Sequence, residues 1–369
     1  MQALSFNPPQ HELLDLIRFA YIKGASDIHI EPNGNGINIR ARLDGVLTVI
    51  KQIDVSRFDT FSENIKNLLG FDMAKFGEPQ DSRFSHPEVP VDCRANLVGS
   101  LYGEKICLRL LEREKDFSLE HYPLENYVKG ILRRLITKGQ GLIVVSGPTG
   151  SGKSTLLYSI LGSVDRKTKA VYTIEDPVEY SLPDLVQIPI NKKTSFGAAL
   201  RSLMRQDPDV IMVGEIRDKE TAEAVVHAAN TGHLVLTTVH ANNAKEIFSR
   251  FSSLGVSEEI VKSVTLFASA QRLPKKLCPN CRKLDPDSVK LAQDIFKSKM
   301  DFVPQTSTGC EQCSELGVKG RILIFEYICA EHDGEKRFLN QKGWLKQQAF
   351  SALKGGLINA QEAYSCVSD

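Results

Sequence analysis

The run Leu142-Ile143-Val144-Val145 leads into Gly147-Pro148-Thr149-Gly150-Ser151-Gly152-Lys153-Ser154, the pattern G-x-x-x-x-G-K-S. A short branched apolar run of this kind reads as a buried strand, and the glycine-rich stretch at its end as a phosphate-binding loop. The glycines let backbone N–H groups close around phosphates. The Lys153 ammonium can reach β and γ oxygens, and the Ser154 hydroxyl can ligate Mg²⁺. Helix-forming residues follow from Thr155 to Leu161, so strand, loop and helix stand in the order this chemistry needs. The loop indicates phosphate binding and leaves open what hydrolysis would drive.

Outward from the loop, residues 125–272 repeat a rhythm of strand, loop and helix. Buried strands are predicted at 142–146, 170–175, 209–214 and 233–239, each short and β-branched. Such alternation predicts an α/β fold with a parallel sheet covered on both faces. Ligands of open sheets sit at the carboxyl ends of the strands. The loops expected there are Gly147–Ser154, Glu175–Glu179, Glu215–Asp218 and His240–Asn243, so four polar clusters should converge on one edge.

Upstream, helical spacing predicts a helix over 11–23 and another over 57–76. Alternating stretches at 27–31, 37–43, 91–97 and 105–111 read as strands, with Pro32-Asn33-Gly34-Asn35-Gly36 as a hairpin turn. Residues 1–111 thus form a smaller α+β domain. The charged segment from Glu112 on to Pro123 reads as a linker over 112–124. Downstream, 273–320 is short-range and cysteine-bearing, and 321–369 is expected to be a helical C-terminal region.

At 369 residues, two or three domains are expected. With 46 basic against 45 acidic residues there is no global electrostatic reason for a nucleic-acid or anionic-membrane partner. The first nine residues have no basic and apolar signal pattern, and no run approaches the ~18 apolar residues of a membrane span. A cytoplasmic location is therefore expected. Four of the eight cysteines form two C-x-x-C pairs, which in such a protein favours metal over disulfides.

Hydrolysis of a γ-phosphate needs a positioned water, a metal and positive charge on the equatorial oxygens. Glu215, at the tip of the strand Val210-Ile211-Met212-Val213, is the candidate to activate water; Gly214 stands where an Asp is common, so a metal would be reached through water. Glu175 and Asp176 end another apolar strand, and either carboxylate can hold Mg²⁺ or orient water. His240 closes the strand Leu234–Val239 and is placed as a γ-phosphate contact. His233 lies roughly 23 Å away at the other end, at ~3.3 Å per residue. Arg201, Arg205 and Arg217 flank the Glu215 strand, while Arg94 and Arg109 belong to the N-terminal domain and could act from a neighbouring subunit. Cys278-Pro279-Asn280-Cys281 and Cys310-Glu311-Gln312-Cys313 suit a closed, structural Zn²⁺ site with room for a helix at 287–299. Cys93, Cys107, Cys329 and Cys366 read as apolar fillers.

Five ordered motifs resemble the secretion ATPase superfamily, the cytoplasmic motors of type II secretion and type IV pilus assembly. They are Ser26–Pro32, Gly147–Thr155, Thr173–Tyr180, Gln206–Asp218 and Thr231–His240, and the similarity runs from about 13 to 327. The resemblance implies a hexameric ring of two-domain subunits, a RecA-like P-loop core and a PAS-like N-terminal domain. It implies ATP, Mg²⁺ and Zn²⁺ as cofactors and an inner-membrane assembly platform as partner. Within the family pattern Glu175 and Asp176 are the aspartate box, Glu215 the atypical Walker B acid preceded normally by glycine, and His240 the end of the histidine box. Arg94 and Arg109 correspond to arginine contacts from the N-terminal domain; Arg201, Arg205 and Arg217 to contacts nearer the nucleotide, which Gly147 to Thr155 cradle. The tetracysteine insert points to assembly and secretion motors rather than retraction motors. The extra N-terminal domain that usually binds the platform is not seen, so docking is expected through other surfaces. Leu316-Gly317-Val318 stands where the family has Thr-Gly-Tyr. Outside the resemblance, a RecA-like nucleic-acid translocase and a scaffold with a nucleotide switch are the alternatives.

Overall fold

Ile28, Ile30, Ile37, Ile39 and Ala41 are buried, and His29, Glu31, Asn38 and Arg40 alternate with them, so each strand presents one apolar and one polar face. The computed structural model describes residues 9–113, 116–191, 194–333, 336–342 and 344–367. The chain divides into two units, 1–115 and 116–369.

In the first unit the order is α1 (Pro9–Ile22), β1 (Ala25–Asn33), β2 (Gly36–Leu43), β3 (Val46–Asp54), α2 (Phe58–Leu69), β4 (Gln80–Ser85), β5 (Val91–Ser100) and β6 (Gly103–Glu112). The strands form one antiparallel sheet in the order β3-β2-β1-β6-β5-β4. Helix α1 buries Leu13, Leu16 and Ile17, and α2 buries Phe61, Ile65 and Leu69. At the β1–β2 turn Gly36 has φ +134°, and a Cβ there would stand 2.1 Å from the Ile53 carbonyl oxygen. Strands β3 and β4 are additional to the sequence expectation.

The second unit begins with α3 (Asn126–Lys138), β7 (Gly141–Ser146), α4 (Lys153–Gly162), β8 (Val171–Glu175), β9 (Val186–Pro189), α5 (Phe196–Leu203) and β10 (Val210–Val213). It continues with α6 (Lys219–Asn230), β11 (Leu234–Val239), α7 (Glu246–Ser253), α8 (Glu258–Val264) and β12 (Thr265–Arg272). The insert then contributes β13 (Lys275–Leu277), β14 (Arg282–Leu284), α9 (Val289–Phe296), β15 (Gln305–Ser307) and β16 (Val318–Arg321). The chain closes with β17 (Ile324–Asp333), β18 (Lys336–Lys342), α10 (Leu345–Lys354) and α11 (Ala360–Val367).

The large sheet runs β18-β17-β12-β7-β11-β10-β8-β9, parallel from β12 to β9 and antiparallel at β17 and β18. Leu142 and Val144 pack into one layer with residues of α5 to α8, and Ile143 and Val145 into the other with α3 and α4. Two covered faces explain why β7, β10 and β11 read as near-continuous apolar runs.

The helix expected over 57–76 ends at Leu69, where Gly70 at φ +71° caps it, and two domain boundaries also differ from the sequence expectation. Phe117, Leu119, Tyr122 and Leu124, expected in a linker, are buried in the core on the α3–α4 face, and the Phe117 ring lies 5.0 Å from that of Tyr158. Their apolar side chains find a surface that the charges of 112–116 do not announce. The C-terminal region, expected to be helical, first supplies β17 and β18 before α10 and α11. Ile324-Phe325-Glu326-Tyr327-Ile328-Cys329 is rich in strand-forming residues and completes the edge beside β12.

Candidate nucleotide and metal sites

Strand β7 delivers Gly147–Gly152 to the carboxyl edge, and α4 starts at Lys153. Gly147, Gly150 and Gly152 have φ of +141°, +77° and +86°, in the left-handed region, and a Cβ on Gly147 would meet the Gln271 carbonyl oxygen at 2.5 Å. Only glycine suits that position. The α4 N-terminus has Gly152 as its cap and no side-chain capping bond. Its first N–H groups and its dipole therefore face the loop's concavity, where an anion is favoured.

The Lys153 ammonium donates to the carbonyls of Gly147 at 2.8 Å and Pro148 at 3.0 Å. Burial lowers its pKa, while the Glu215 and Glu179 carboxylates oppose that shift. Glu179 is thus an acid near the loop that the sequence reading did not single out. Glu215, at the end of β10, pairs with Arg217, and His240 Nε2 lies 3.5 Å from its Oε2. Arg217 also approaches Asp176 Oδ2 at 3.6 Å. The ends of β8, β10 and β11 therefore place Asp176, Glu215, Arg217 and His240 in one contact group, which Lys153 joins electrostatically.

The other candidates fall elsewhere. Glu175 is 4% exposed, and its carboxylate accepts from Tyr158 Oη, from Thr173 Oγ1 at 2.6 Å and from Gln187 Nε2 at 3.1 Å. It knits β8 to α4 and β9, while the adjacent Asp176 faces the arginine. Arg201 pairs with Glu220 on α6, and Arg205 donates to the Arg201 carbonyl at 3.1 Å. His233 Nδ1 lies 3.0 Å from the Ala228 carbonyl, beyond the far end of β11. Asp218 accepts from Thr221 N at 2.8 Å and caps α6.

Residues outside the motifs also touch the phosphate loop. Gln271 Nε2 donates to the Ser151 carbonyl at 2.6 Å, and Arg321 Nη1 to the Gly150 carbonyl at 3.3 Å. Tyr122 Oη lies 3.2 Å from Gln271 Nε2, and burial pushes its pKa up to about 12. The one sequence signal was a Gln-Arg pair closing an otherwise small and apolar stretch, 266–270.

In the insert the sulfurs of Cys278, Cys281, Cys310 and Cys313 all lie within 4.8 Å of one another. The pairs Cys278–Cys310, Cys281–Cys313 and Cys310–Cys313 are 3.8, 3.9 and 3.7 Å apart. Four sulfurs ~2.3 Å from Zn²⁺ stand ~3.8 Å apart in a tetrahedron, so this set can hold a zinc ion. The N–H groups of Cys310 and Gly317 donate to Cys313 Sγ at 3.3 and 3.2 Å, the support a metal-bound thiolate needs.

In the first unit Arg94 and Arg109 lie on the polar sheet face. The register sets Asp27 opposite Arg109, Arg109 opposite Arg94, and Arg94 opposite Arg83. They line a cavity of about 430 Å³. Asp27 Oδ1 accepts from Arg109 Nε at 3.1 Å, which offsets part of the repulsion in the row.

The family described as Type II/IV secretion system protein matches residues 4–362. A putative type II secretion system protein E of Escherichia coli is 41% identical over 311 residues, 82% of this chain and 63% of that protein. A type IV pilus assembly ATPase PilB of Thermus thermophilus is 36% identical over 329 residues, 86% of this chain and 37% of that one. The chain thus spans less than two thirds of either relative. Among solved structures, the pilus retraction motor PilT with bound ADP aligns over 97% of both chains with a TM-score of 0.64 at 24% identity. The Legionella pneumophila ATPase DotB aligns over 100% of this chain and 98% of its own, with a TM-score of 0.69 at 20% identity. These two show the fold; with the family match and the two relatives beside them, the chain belongs to the type II/IV secretion system protein family.

Proposed function

We propose that this chain is a motor ATPase that hydrolyses ATP to power type IV pilus assembly or type II protein secretion. The observation that carries this reading is the contact group of Glu215, Arg217, His240 and Asp176 at the sheet edge that also presents the Lys153 loop. A RecA-like core supplies that edge. Backbone N–H groups of Gly147 and of Thr149–Lys153 are placed to bind the phosphates, Ser154 and Asp176 would hold Mg²⁺ directly or through water, and Glu215 orients the attacking water. His240 senses the γ-phosphate, and Arg217 moves from Glu215 to phosphate when nucleotide binds. Glu175 fixes β8 beneath the site through its buried bonds, and Arg201 and Arg205 act from its rim.

The first unit, read as PAS-like over residues 1–111, offers Arg94 and Arg109 to a nucleotide held by a neighbouring subunit of a homo-hexamer. The tetracysteine set takes one structural Zn²⁺. The motor works in the cytoplasm, held at the inner membrane by assembly-platform proteins. Among the described residues no helix is long and apolar enough to cross a membrane. Mg²⁺-dependent phosphate release from ATP is the test: it is expected in the full chain and lost in Lys153→Ala, and full turnover in that variant would remove the proposal. Phosphate release stimulated by DNA, with binding that weakens steeply as salt rises, would favour the translocase reading instead.

A further inference from the structure

All eight residues of β12 are buried, yet the strand ends in two polar ones, Gln271 at 0% and Arg272 at 7% exposure. Burying an amide and a guanidinium is unfavourable unless both are held by hydrogen bonds. Here the bonds run to two different loops of the nucleotide site. Gln271 Nε2 donates to the Ser151 carbonyl at 2.6 Å, and its Oε1 lies 3.5 Å from Tyr122 Oη. The Gln271 carbonyl and amide stand 2.5 and 3.1 Å from where Cβ atoms on Gly147 and Gly152 would be, so the strand end seats against both glycines.

Arg272 reaches the other loop. Its Nη2 donates to the Asn242 carbonyl at 2.7 Å, two residues after His240, and its Nη1 to the Gln271 carbonyl at 3.2 Å. On the next strand Glu326, opposite Ala270 and 3% exposed, accepts from Ala244 N at 2.7 Å and Leu345 N at 3.0 Å. The loop leaving β11 is thus anchored beyond β7, although β12 and β11 are not neighbours in the sheet.

We infer that Gln271 and Arg272 are positioning residues that fix the phosphate loop and the His240 loop relative to each other through one strand end. Gln271 bonds the phosphate loop itself, so it governs binding. Arg272 holds the His240 loop, whose contact matters when charge develops on the γ-phosphate, so it governs turnover. The inference rests on the phosphate-loop and His240 readings and not on the motor function.

The test uses the full chain, fluorescent methylanthraniloyl-ADP for binding, and phosphate release from ATP for turnover. Gln271→Met is expected to weaken binding of the probe about tenfold, the effect of stranding one buried carbonyl. Arg272→Met is expected to leave probe binding within about twofold and lower kcat about tenfold, and Arg272→Lys, which can still donate to Asn242, to restore most of it. Probe binding by Gln271→Met within twofold of the unsubstituted chain overturns the inference. So does an Arg272→Lys protein as slow as Arg272→Met, or an Arg272→Met effect that falls on binding rather than kcat. If either Met variant fails to fold, Tyr122→Phe and Glu326→Gln carry the comparison. The first is expected to weaken probe binding about threefold and the second to lower kcat with binding unchanged, and the reverse pattern overturns the inference. Absence of turnover in the unsubstituted chain removes the proposed hydrolysis and the Arg272 arm with it, while probe binding by Gln271→Met still decides the Gln271 arm.

Discussion

The tetracysteine insert and the candidate nucleotide edge of the large sheet are assembled by opposite routes. Each half of the cysteine set comes from a single C-x-x-C knuckle, so two short pieces of chain supply every ligand. The nucleotide edge draws Lys153, Asp176, Glu215 and His240 from the ends of four strands, and further groups, such as Gln271 and Arg321, from β12 and β16. A local site depends on its ligands; a distributed one depends on everything that fixes the strands relative to each other.

The sharpest way to break this contrast is to distort the distributed site at one backbone position. Gly147→Ala forces a Cβ to within 2.5 Å of the Gln271 carbonyl at φ +141°. The expected result is loss of fluorescent ADP binding by about a hundredfold or more, since strain and the lost loop geometry add. Binding within tenfold would show the loop to be more tolerant than its packing implies. Glu215→Gln sits next in size: turnover is expected to fall on the order of 10²- to 10³-fold with ADP affinity little changed, measured by phosphate release.

The local site is probed by Cys278→Ser together with Cys313→Ser. Metal analysis is expected to fall from one Zn per chain to none, and hydrogen exchange to lose protection over 278–318. ADP binding is expected to change by less than about threefold, because β12 and β7 stay paired, Gln271 still holds the Ser151 carbonyl, and the Arg321 bond to Gly150 is a small part of what fixes the loop. A collapse of nucleotide binding would show that the two regions are one unit.

Smaller effects test buried and surface charge. Tyr158→Phe removes one donor from the buried Glu175, and a loss of roughly 1–3 kcal/mol in denaturant unfolding is expected. In the first unit the hydrogen bond from Arg40, opposed by burial and assisted by Lys105, takes the Glu31 carboxyl from 4.5 to about 2. A carboxyl depressed in the folded state contributes stability that is present above its unfolded pKa and lost as pH falls through its folded one. Stability should therefore decline between pH 4.5 and 2. Glu31→Gln should flatten that slope by roughly 1 kcal/mol after allowing for solvent screening, read from unfolding curves at several pH values.

How far the sequence carried varies with the range of the interactions. Strands β7, β10 and β11 were legible because burial on both faces leaves mostly branched apolar residues, with the polar Ser146, Thr237 and Thr238 confined to the carboxyl-terminal halves of β7 and β11. Strand β12, with Thr265, Ser269 and Gln271 in its buried run, carries no such signal. Tyr122 was hidden inside a segment whose charges suggest a linker, although its hydroxyl ends up beside Gln271. Glu175 and Asp176 are adjacent and chemically alike, and only their opposite directions at the end of β8 separate a buried structural carboxylate from one that meets Arg217.

By itself the sequence determined the glycine-rich turn between a buried strand and a helix, the α/β alternation, the two cysteine knuckles and the family, because each rests on residue types at short fixed spacing. The tertiary structure decided which acids converge, where the first unit ends and what braces the loop. Those depend on strand order and side-chain direction, which arise only when segments tens of residues apart, and for the Gln271 brace more than a hundred, pack against the same sheet.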